Sequence, residues 1–400
     1  MGGVTALGDD WASIRAGLKA GRNAVRVMPE WDAYPDLQTR LAAPVDHFEV
    51  PSHYPRKIVR SMGRVAMLGV RSTELALADA GLLGDPGLGS GRFGVAYGSS
   101  YGSLDPMLAL GRSLVEGHFK GVSATSYIQA MSHTAAVNIG VFYGLRGRVI
   151  PTSSACTSSS QAIGYAFESI RSGKQDAMVA GGCDELSFCH AAVFDTLFAT
   201  SLRNSEPALS PRPYDRDRDG LVLGEGGCTF ILEERERALA RGARIHAEVL
   251  GFGTNSDGAH VTQPRAETMA VTMQLALEDA GLEPERIGWV NAHGTATEHG
   301  DIAESQATLE TFRRPVAISS LKSYFGHALG ACGSIEAWVG IQMVREGWLA
   351  PTLNLDHLDP RCAELDYVRG QERPADFDTF MSNNFAFGGI NTSLILRCER

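Results

Sequence analysis

Cys156 lies in a run of small, mostly hydroxyl-bearing residues, 152–160 (TSSACTSSS). A strand-like run, 148–151, precedes it, and the apolar spacing of 158–171 predicts a helix directly after it. The thiol is therefore expected at a strand-to-helix turn, beside the free N–H groups of a helix N-terminus. That position favours an anion, so the sequence predicts an accessible nucleophile with a lowered pKa.

Two histidines follow predicted strands elsewhere in the chain. His293 comes directly after the apolar run 287–290, and His327 shares a loop with Lys322 after the next predicted strand. Sites of α/β proteins lie at the carboxyl ends of strands, so these groups could converge on Cys156. A cysteine with two imidazoles suits acyl-thioester chemistry, in which a thiolate attacks a carbonyl and N–H donors stabilise the oxyanion. The alternative is a cysteine hydrolase, which needs one histidine as its base.

The elements that must position these groups alternate along the chain. Runs such as 93–97 and 176–180 predict buried strands, and the patterns at 269–280 and 329–346 predict helices that end at glycine. This alternation predicts an α/β protein with a mostly parallel sheet covered by helices.

A boundary between two halves is expected after a charged segment. Residues 233–244 predict a charged surface helix. We therefore expect an N-terminal half, 1–244, that carries the nucleophilic cysteine, and a C-terminal half, 245–400, that carries the two histidines.

Composition narrows the class of protein. The chain has 400 residues, of which 44% are hydrophobic and 20% charged, and this excludes a disordered or fibrous protein. The formal net charge of −10 argues against a general nucleic-acid binder, which must neutralise phosphates. No run of about 18 apolar residues predicts a membrane span. Seven cysteines without a C-x-x-C pair predict free thiols in a reducing compartment, the cytoplasm.

Several linked motifs together resemble the β-ketoacyl-[acyl carrier protein] synthases, the elongating condensing enzymes of type II fatty-acid and polyketide synthesis. They are SSACTSS around Cys156, NAHGTAT around His293, KSYFGHALGACG around His327 and NNFAFGGINTSL near the C-terminus. These motifs stand in the family's order and extend through nearly the whole chain. The resemblance implies the thiolase fold, with two similar βαβαβαββ halves layered α-β-α-β-α and working as a dimer.

The resemblance also implies roles for individual residues. Cys156 would hold the growing acyl chain, while His293 and His327 would assist decarboxylation of a malonyl group and stabilise the enolate. Lys322 would support the histidines, with Glu304 as its acidic partner. The implied reaction is a ping-pong decarboxylative condensation that gives a 3-oxoacyl product two carbons longer.

Further positions match family residues around the reacting groups. The backbone N–H groups of Cys156 and Phe387 would form the oxyanion hole, and Phe387 would also gate the site. Thr295 and Thr297 would contact the pantetheine arm. Tyr101 stands where relatives have a smaller aliphatic residue in the acyl pocket. We therefore expect an altered acyl preference, for shorter, polar, unsaturated or aryl-capped chains.

A carrier-protein partner and a structural ion are implied as well. Because the carrier is acidic and the enzyme is net negative, local positive charge must steer docking. The expected docking residues are Arg56, Lys57, Arg60 and Arg64 on one predicted helix face, together with Arg203. In some relatives, positions matching Asn291, Glu336 and Asn383 surround a structural monovalent cation. No cofactor and no catalytic metal are expected, because the phosphopantetheine arm belongs to the carrier.

Two expectations concern the chain start and the alternative function. The first residues match the end of the family's first turn, so the strand that opens the first half is expected to be missing. The main alternative is a non-catalytic partner subunit of the chain-length-factor type. The presence of Cys156, His293 and His327 disfavours that alternative, although a heterodimer with a related subunit remains as open as a homodimer.

Overall fold

The structure is a computed structural model that describes residues 1–399. Its strands are β1 Gly2–Thr5, β2 Arg26–Val27, β3 Leu41–Ala43, β4 Phe93–Gly98, β5 Val149–Thr152, β6 Ala177–Asp184, β7 Leu223–Gly224, β8 Gly226–Glu233, β9 Ala247–Ser256, β10 Trp289–Asn291, β11 Ala317–Ser319, β12 Trp348–Leu349, β13 Asp366–Tyr367, β14 Arg373–Pro374, β15 Thr379–Ala386 and β16 Ile390–Cys398. Its helices are α1 Trp11–Lys19, α2 Arg56–Val59, α3 Arg64–Asp79, α4 Leu104–Glu116, α5 Ser126–Ala130, α6 Thr134–Tyr143, α7 Ser158–Arg171, α8 Phe188–Asp195, α9 Arg235–Ala240, α10 Ala266–Ala280, α11 Glu298–Phe312, α12 Lys322–Phe325 and α13 Cys332–Glu346.

Two large sheets carry the fold. The first has the strand order β1–β8–β6–β4–β5, and the second has the order β13–β11–β10–β15–β16–β9. In the first sheet β4 pairs in parallel with both β5 and β6, and β6 pairs antiparallel with β8. In the second sheet β10 pairs in parallel with β11 and β15, and β15 pairs antiparallel with β16. The α/β class predicted from the alternating patterns is confirmed.

Helices cover both faces of both sheets. Helices α7 and α13 lie between the sheets in the central core, while α3 and α6 cover the outer face of the first sheet. Helices α10 and α11 cover the outer face of the second sheet. All eight residues of β6 are buried, as expected for a strand with helices on both faces. Met178 and Ala180 face the central core and Ala177 and Val179 face the outer one, as strand alternation requires.

Two expectations about the elements are wrong. The first strand is present, because Gly2–Thr5 pairs antiparallel with β8 at the edge of the first sheet. The charged helix expected over 233–244 is shorter, Arg235–Ala240, because β8 runs through Glu233. Within residues 1–399, no helix is both long and apolar enough to cross a membrane.

Candidate active site

Cys156 lies between β5 and α7, at the strand-to-helix turn that the sequence predicts. A short 3-10 turn, Ala155–Thr157, joins the two elements, and Ala155 has a φ of 49°, in the left-handed region. Residues held in this region cost free energy and cluster at functional sites. Hydrogen bonds brace the turn: the Ser154 N–H donates to Ser158 Oγ at 2.9 Å, and Ser158 Oγ donates to the Ala155 carbonyl at 2.7 Å.

Three parts of the chain bring Cys156, His293 and His327 together. The sulfur of Cys156 lies 3.0 Å from Nε2 of His327, and one sulfur or nitrogen atom from each of the three residues lies within 4.8 Å of the others. The two imidazole rings are perpendicular, with centroids 5.3 Å apart. All three side chains are buried. The three groups predicted to act together therefore share one site.

Hydrogen bonds fix which nitrogen of each imidazole carries its proton. The Leu329 N–H donates to Nδ1 of His327 at 3.2 Å, so the proton of the neutral ring is on Nε2, facing the sulfur. Asn384 Nδ2 donates to the Glu336 carboxylate at 2.9 Å and lies 3.4 Å from Nδ1 of His293. The amide nitrogen is thus a donor toward His293 as well. Both rings then present an Nε2–H to the site.

Burial controls the protonation of the site. Burial lowers the pKa of both His293 and His327 well below 6.5, and the nearby Lys322 charge lowers it further, so the rings are neutral at pH 7. Burial raises the pKa of the Cys156 thiol to about 11, although the Lys322 charge and the backbone N–H groups of Phe387 and Cys156 act in the opposite direction. The expected lowering of the thiol pKa is wrong, because desolvation of the sulfur outweighs the nearby positive groups.

The backbone N–H groups of Cys156 and Phe387 both hydrogen-bond toward the sulfur. Two N–H donors directed at one place are what an oxyanion hole requires. Their predicted role as that hole stays a prediction.

Lys322 forms a buried ion pair with Glu336 on α13. The expectation that Glu304 is its partner is wrong. The Glu304 carboxylate accepts the backbone N–H groups of His293 and Gly294, both at 2.7 Å. Helix α11 begins directly after the His293 loop, so Glu304 faces the backbone of that loop, whereas α13 packs beside Lys322. Glu304 therefore holds the loop that presents His293.

A second carboxylate on α11 holds the next part of the same loop. Asp301 accepts the Thr295 N–H at 3.0 Å and the Tyr214 N–H at 2.7 Å, and the Tyr214 hydroxyl donates to Glu304 at 2.9 Å. Burial raises the pKa of Asp301 to about 6 and that of Glu304 to about 7. The hydroxyls of Thr295 and Thr297 lie 2.8 Å apart. These bonds fix the loop whose threonines are predicted to meet pantetheine.

A cavity of about 560 Å³ contains Cys156 and opens to the surface. His293, His327, Thr295 and Thr297 also line its wall. A cavity of this size lies in the range of small-molecule sites. The structure therefore gives the buried thiol a route to solvent.

Phe387 lies at the tip of the β15–β16 hairpin, on the wall of this cavity. Gly388 and Gly389 follow it with φ values of 91° and 69°, a conformation that favours glycine. The Phe387 ring packs against that of Phe194 on α8, with centroids 5.1 Å apart. The two glycines are thus needed to turn the chain and to place Phe387 at the cavity wall. The predicted gating role of Phe387 stays a prediction.

Tyr101 does not line the cavity that holds Cys156. Its side chain is 47% exposed and its ring packs edge-on against His190, with centroids 5.4 Å apart. Tyr101 follows β4, the strand next to β5, so it lies at the same edge of the sheet as Cys156. Its predicted place in the acyl pocket stays a prediction.

The predicted docking residues do not share one helix. Helix α2 ends at Val59 and α3 begins at Arg64, because the helical conformation is interrupted before Gly63. The expected single basic helix face is therefore wrong. Lys57 and Arg60 are exposed.

Two of the remaining basic candidates, Arg64 and Arg203, are paired with carboxylates. Arg64 donates to Glu225 at 2.5 and 2.9 Å, and Arg203 lies 3.6 Å from Asp219. Arg56 is exposed on α2. The exposed positive charges of the predicted docking patch are therefore those of Arg56 and Lys57 on α2 and of Arg60 directly after it.

The side chains expected around a monovalent cation do not converge. Asn291 is in register with Ser382 and bonds to it at 3.2 Å, so both face the same side of the second sheet as Asn384. Asn383 faces the opposite side, since neighbouring strand residues alternate. The Glu336 carboxylate is occupied by its lysine partner and by Asn384. These three side chains therefore do not fit one ion site.

The Cys156 cluster is the one group of thiol, imidazole and carboxylate side chains within residues 1–399 whose atoms approach closely enough to hold a metal. Thiolates and imidazoles are ligands of zinc. The sequence predicts no catalytic metal, and that stays a prediction.

Sequence reasoning missed Asn384, which contacts His293 and Glu336 and accepts a hydrogen bond from Ser160. The sequence motif points to its neighbour Asn383 instead. The alternation of side chains along a strand can identify Asn384, because it places Asn384 on the same face as Phe380, which packs in the central core.

Comparisons with known proteins cover the whole chain. The family model described as beta-ketoacyl synthase, N-terminal domain, matches residues 1–238, and the corresponding C-terminal domain matches residues 246–356. The boundary predicted between residues 244 and 245 lies between these matches and stays a prediction.

Individual relatives agree with the family match. A 3-oxoacyl-[acyl-carrier-protein] synthase 2 from Vibrio cholerae serotype O1 is 37% identical over 405 residues, which cover 99% of this chain and 97% of the relative. A crystal structure of a beta-ketoacyl synthase from Burkholderia phymatum STM815 is 62% identical with a TM-score of 0.99 and covers 100% of this chain and 98% of that one. The structure described as the ishigamide ketosynthase/chain length factor is 32% identical with a TM-score of 0.90, at the same two coverages of 100% and 98%.

Proposed function

Because the chain belongs to the beta-ketoacyl synthase family, we propose that it is a 3-oxoacyl-[acyl-carrier-protein] synthase that joins a malonyl unit to an acyl chain held on Cys156. The predicted thiolase fold is confirmed by the similarity to solved ketosynthases over the full chain. The observation that carries the proposal is the meeting of Cys156, His293 and His327 at one cavity.

The first step transfers an acyl group from the carrier to Cys156. The sulfur attacks the thioester carbonyl, and the His327 Nε2–H supports the thiolate against the cost of burial. The backbone N–H groups of Cys156 and Phe387 receive the oxyanion of the tetrahedral intermediate. The proton of the Cys156 thiol is transferred to the sulfur of the departing carrier. The step therefore releases no net proton.

The second step uses the two imidazoles as donors. When the malonyl thioester enters, its carbonyl oxygen accepts the Nε2–H groups of His293 and His327. Loss of CO₂ places negative charge on that oxygen, and donors fixed beforehand stabilise the enolate without reorganisation. The enolate carbon then bonds to the acyl carbonyl, and Cys156 leaves as a thiolate that takes a proton from solvent.

Lys322 supports this step through its charge. Its ammonium, paired with Glu336, disfavours protonation of both imidazoles, which must stay neutral and correctly oriented. Glu304 acts on the same step through the backbone of the His293 loop. Lys322 and Glu304 are thus positioning residues in this mechanism.

The partner we propose is an acyl carrier protein whose phosphopantetheine arm enters the cavity along Thr295 and Thr297. The arm brings the reactive thioester, so the enzyme needs no cofactor of its own. Exposed Lys57 and Arg60 offer the local positive charge that an acidic carrier requires. The seven free cysteines, six of them buried, support a reducing compartment, the cytoplasm.

A second subunit is proposed for an exposed apolar face beside β5. Strand β5 is the edge of the first sheet, and Val149 on it and Val141 on the adjoining helix α6 are exposed. Further exposed apolar side chains lie in the preceding segment: Leu108, Leu114, Val115, Phe119 and Tyr127. An unpaired strand edge and large exposed apolar side chains are features of an interaction surface. Its occupant is a second copy of this chain or a related ketosynthase-like subunit, and light scattering of the purified chain distinguishes the two.

The proposed function is tested by direct assay of condensation. Purified protein is given an acyl-carrier and a malonyl-carrier protein, and the products are identified by mass. We expect release of CO₂ and a 3-oxoacyl-carrier two carbons longer with the native chain, and no condensation with Cys156→Ala. Absence of condensation from the folded native chain with every acyl chain tried would favour the non-catalytic subunit.

A further inference from the structure

His190 on α8 is a buried imidazole without a hydrogen-bond partner. His190 is 7% exposed, and neither of its ring nitrogens makes a hydrogen bond. The Glu185 carbonyl is close to the ring, but without hydrogen-bond geometry. Buried polar groups in native proteins nearly always find a partner, so an unpaired one calls for an explanation.

The protein groups around His190 do not supply that partner. The Tyr101 ring packs edge-on against the imidazole. The Asp184 carboxylate is near enough to act on His190 electrostatically, but it accepts hydrogen bonds from Ser99, Ser100 and Gly330 at 2.6 to 3.1 Å. Those donors already hold Asp184 in place. Within residues 1–399, neither ring nitrogen of His190 has a hydrogen-bond partner, so both are free to pair with a bound molecule.

The sheet places this histidine close to the reacting sulfur. Strands β5, β4 and β6 are neighbours, and Gly98 is in register with both Thr152 and Gly182. Cys156 and Tyr101 follow the ends of β5 and β4 within a few residues, and Asp184 is the last residue of β6. The Asp184 charge acts on the Cys156 thiol as well as on His190, so the three groups share one region.

Helix α8 connects His190 to the cavity of Cys156. Phe194 lines that cavity and packs against Phe387 at its wall. His190 precedes Phe194 by four residues, so the two side chains lie on the same face of the helix, one turn apart. His190 itself is not on the cavity wall; it lies one helical turn behind Phe194, so an acyl chain on Cys156 that extends past Phe194 would meet it.

We propose that His190 is a specificity-determining residue that hydrogen-bonds an oxygen atom, hydroxyl or carbonyl, on the acyl chain attached to Cys156. The inference rests on the proposed function and names its substrate class: acyl chains that carry an oxygen beyond the thioester, in preference to fully saturated hydrocarbon chains. Neutral imidazole has one donor and one acceptor nitrogen, so a hydroxyl can pair with either and a carbonyl with the donor. Burial lowers the pKa of His190, although the Asp184 charge opposes this, which favours the neutral ring.

The test measures acylation of Cys156 with matched chains. Carrier proteins are loaded with a saturated acyl group or with groups of equal length that carry a hydroxyl or a ketone at successive positions. For the native enzyme we expect the best oxygenated chain to exceed the saturated one by about tenfold in kcat/KM, since a site built for a polar group discriminates against its absence.

Variants of α8 test whether the His190 imidazole causes the preference for oxygenated over saturated chains. In His190→Leu the ratio of oxygenated to saturated chain falls to about one. In His190→Gln, which keeps a donor and an acceptor, part of the preference returns. Cys189→Ser changes an exposed neighbour on the same helix and keeps both the ratio and the rates. A melting temperature close to that of the native chain confirms that each variant is folded.

Two outcomes overturn the inference. One is equal acylation by saturated and oxygenated chains in the native enzyme, which leaves the proposed function standing. The other is a preference that survives unchanged in His190→Leu. If no chain acylates Cys156 at all, the proposed function fails together with the inference, so the two failures are distinguishable.

Discussion

The Nε2 atom of His327 lies 3.0 Å from the sulfur of Cys156, although the two residues are 171 positions apart in the chain. Because the Leu329 N–H occupies Nδ1, the imidazole directs its own proton at the sulfur. His327 is therefore a hydrogen-bond donor to Cys156 and not the base that removes its proton. This orientation suits an enzyme that later needs the same N–H for an enolate.

The reactivity of Cys156 is expected to rise steeply with pH. With a thiol pKa of about 11, the thiolate fraction grows about tenfold for each pH unit between 7 and 10. The alkylation rate with iodoacetamide, followed by intact mass in a Cys189→Ser background, should follow that slope. A rate that levels off near pH 8 would show that the helix N-terminus and Lys322 outweigh burial.

Removal of Lys322 should separate stability from catalysis. Lys322→Ala leaves Glu336 buried without its partner, so we expect a loss of about 3–5 kcal/mol in the free energy of unfolding. The double variant Lys322→Met/Glu336→Gln removes both charges and should regain much of that stability. Malonyl decarboxylation should stay impaired in both. Recovery of decarboxylation in the double variant would contradict a role for the Lys322 charge.

Glu304 should make stability depend on pH. Its pKa is raised by burial from 4.5 to about 7, so the folded chain binds more protons than the unfolded chain between these values. The contribution of this group to stability is thus present below pH 4.5 and is lost as the pH rises through about 7.

The matched measurement compares urea unfolding of the native chain and Glu304→Gln at several pH values. Glutamine stays neutral, so we expect the variant to show a flatter dependence across this window. Curves that run parallel across the whole range would refute the assignment. Tyr214→Phe, which removes one hydroxyl bond to Glu304, is the control for lost hydrogen bonding alone.

Much of the site could be predicted from the sequence because its groups follow strand ends. The predicted helix 158–171 agrees with α7, Ser158–Arg171, and this places Cys156 at its turn. Which carboxylate meets Lys322 could not be predicted, because motif spacing does not reveal which of two helices, α11 or α13, packs beside the lysine.

Other failures have the same physical origin in tertiary packing. The thiol pKa depends on how deeply the sulfur is desolvated, and no local pattern reports that depth. The single basic face is wrong because the regular spacing from Arg56 to Arg64 predicts one helix, whereas the helical conformation is interrupted before Gly63. His190 carried no motif, and only its unpaired nitrogens in the fold single it out.

Carrier docking should depend on charge near α2. Arg60→Glu is expected to raise KM for the carrier by about tenfold at low ionic strength, with the effect fading as salt screens it. Arg235→Glu makes the same charge change on α9 and serves as the control. An equal response of the two variants would remove the docking role from Arg60.

The most direct test of the central claim is the mass of the protein after incubation with an acyl-carrier protein alone. The account predicts one acyl group per chain, located by peptide mapping on the segment that contains Cys156, and none in Cys156→Ala. Release of free fatty acid without a stable adduct, or an acyl group on another residue, would contradict it.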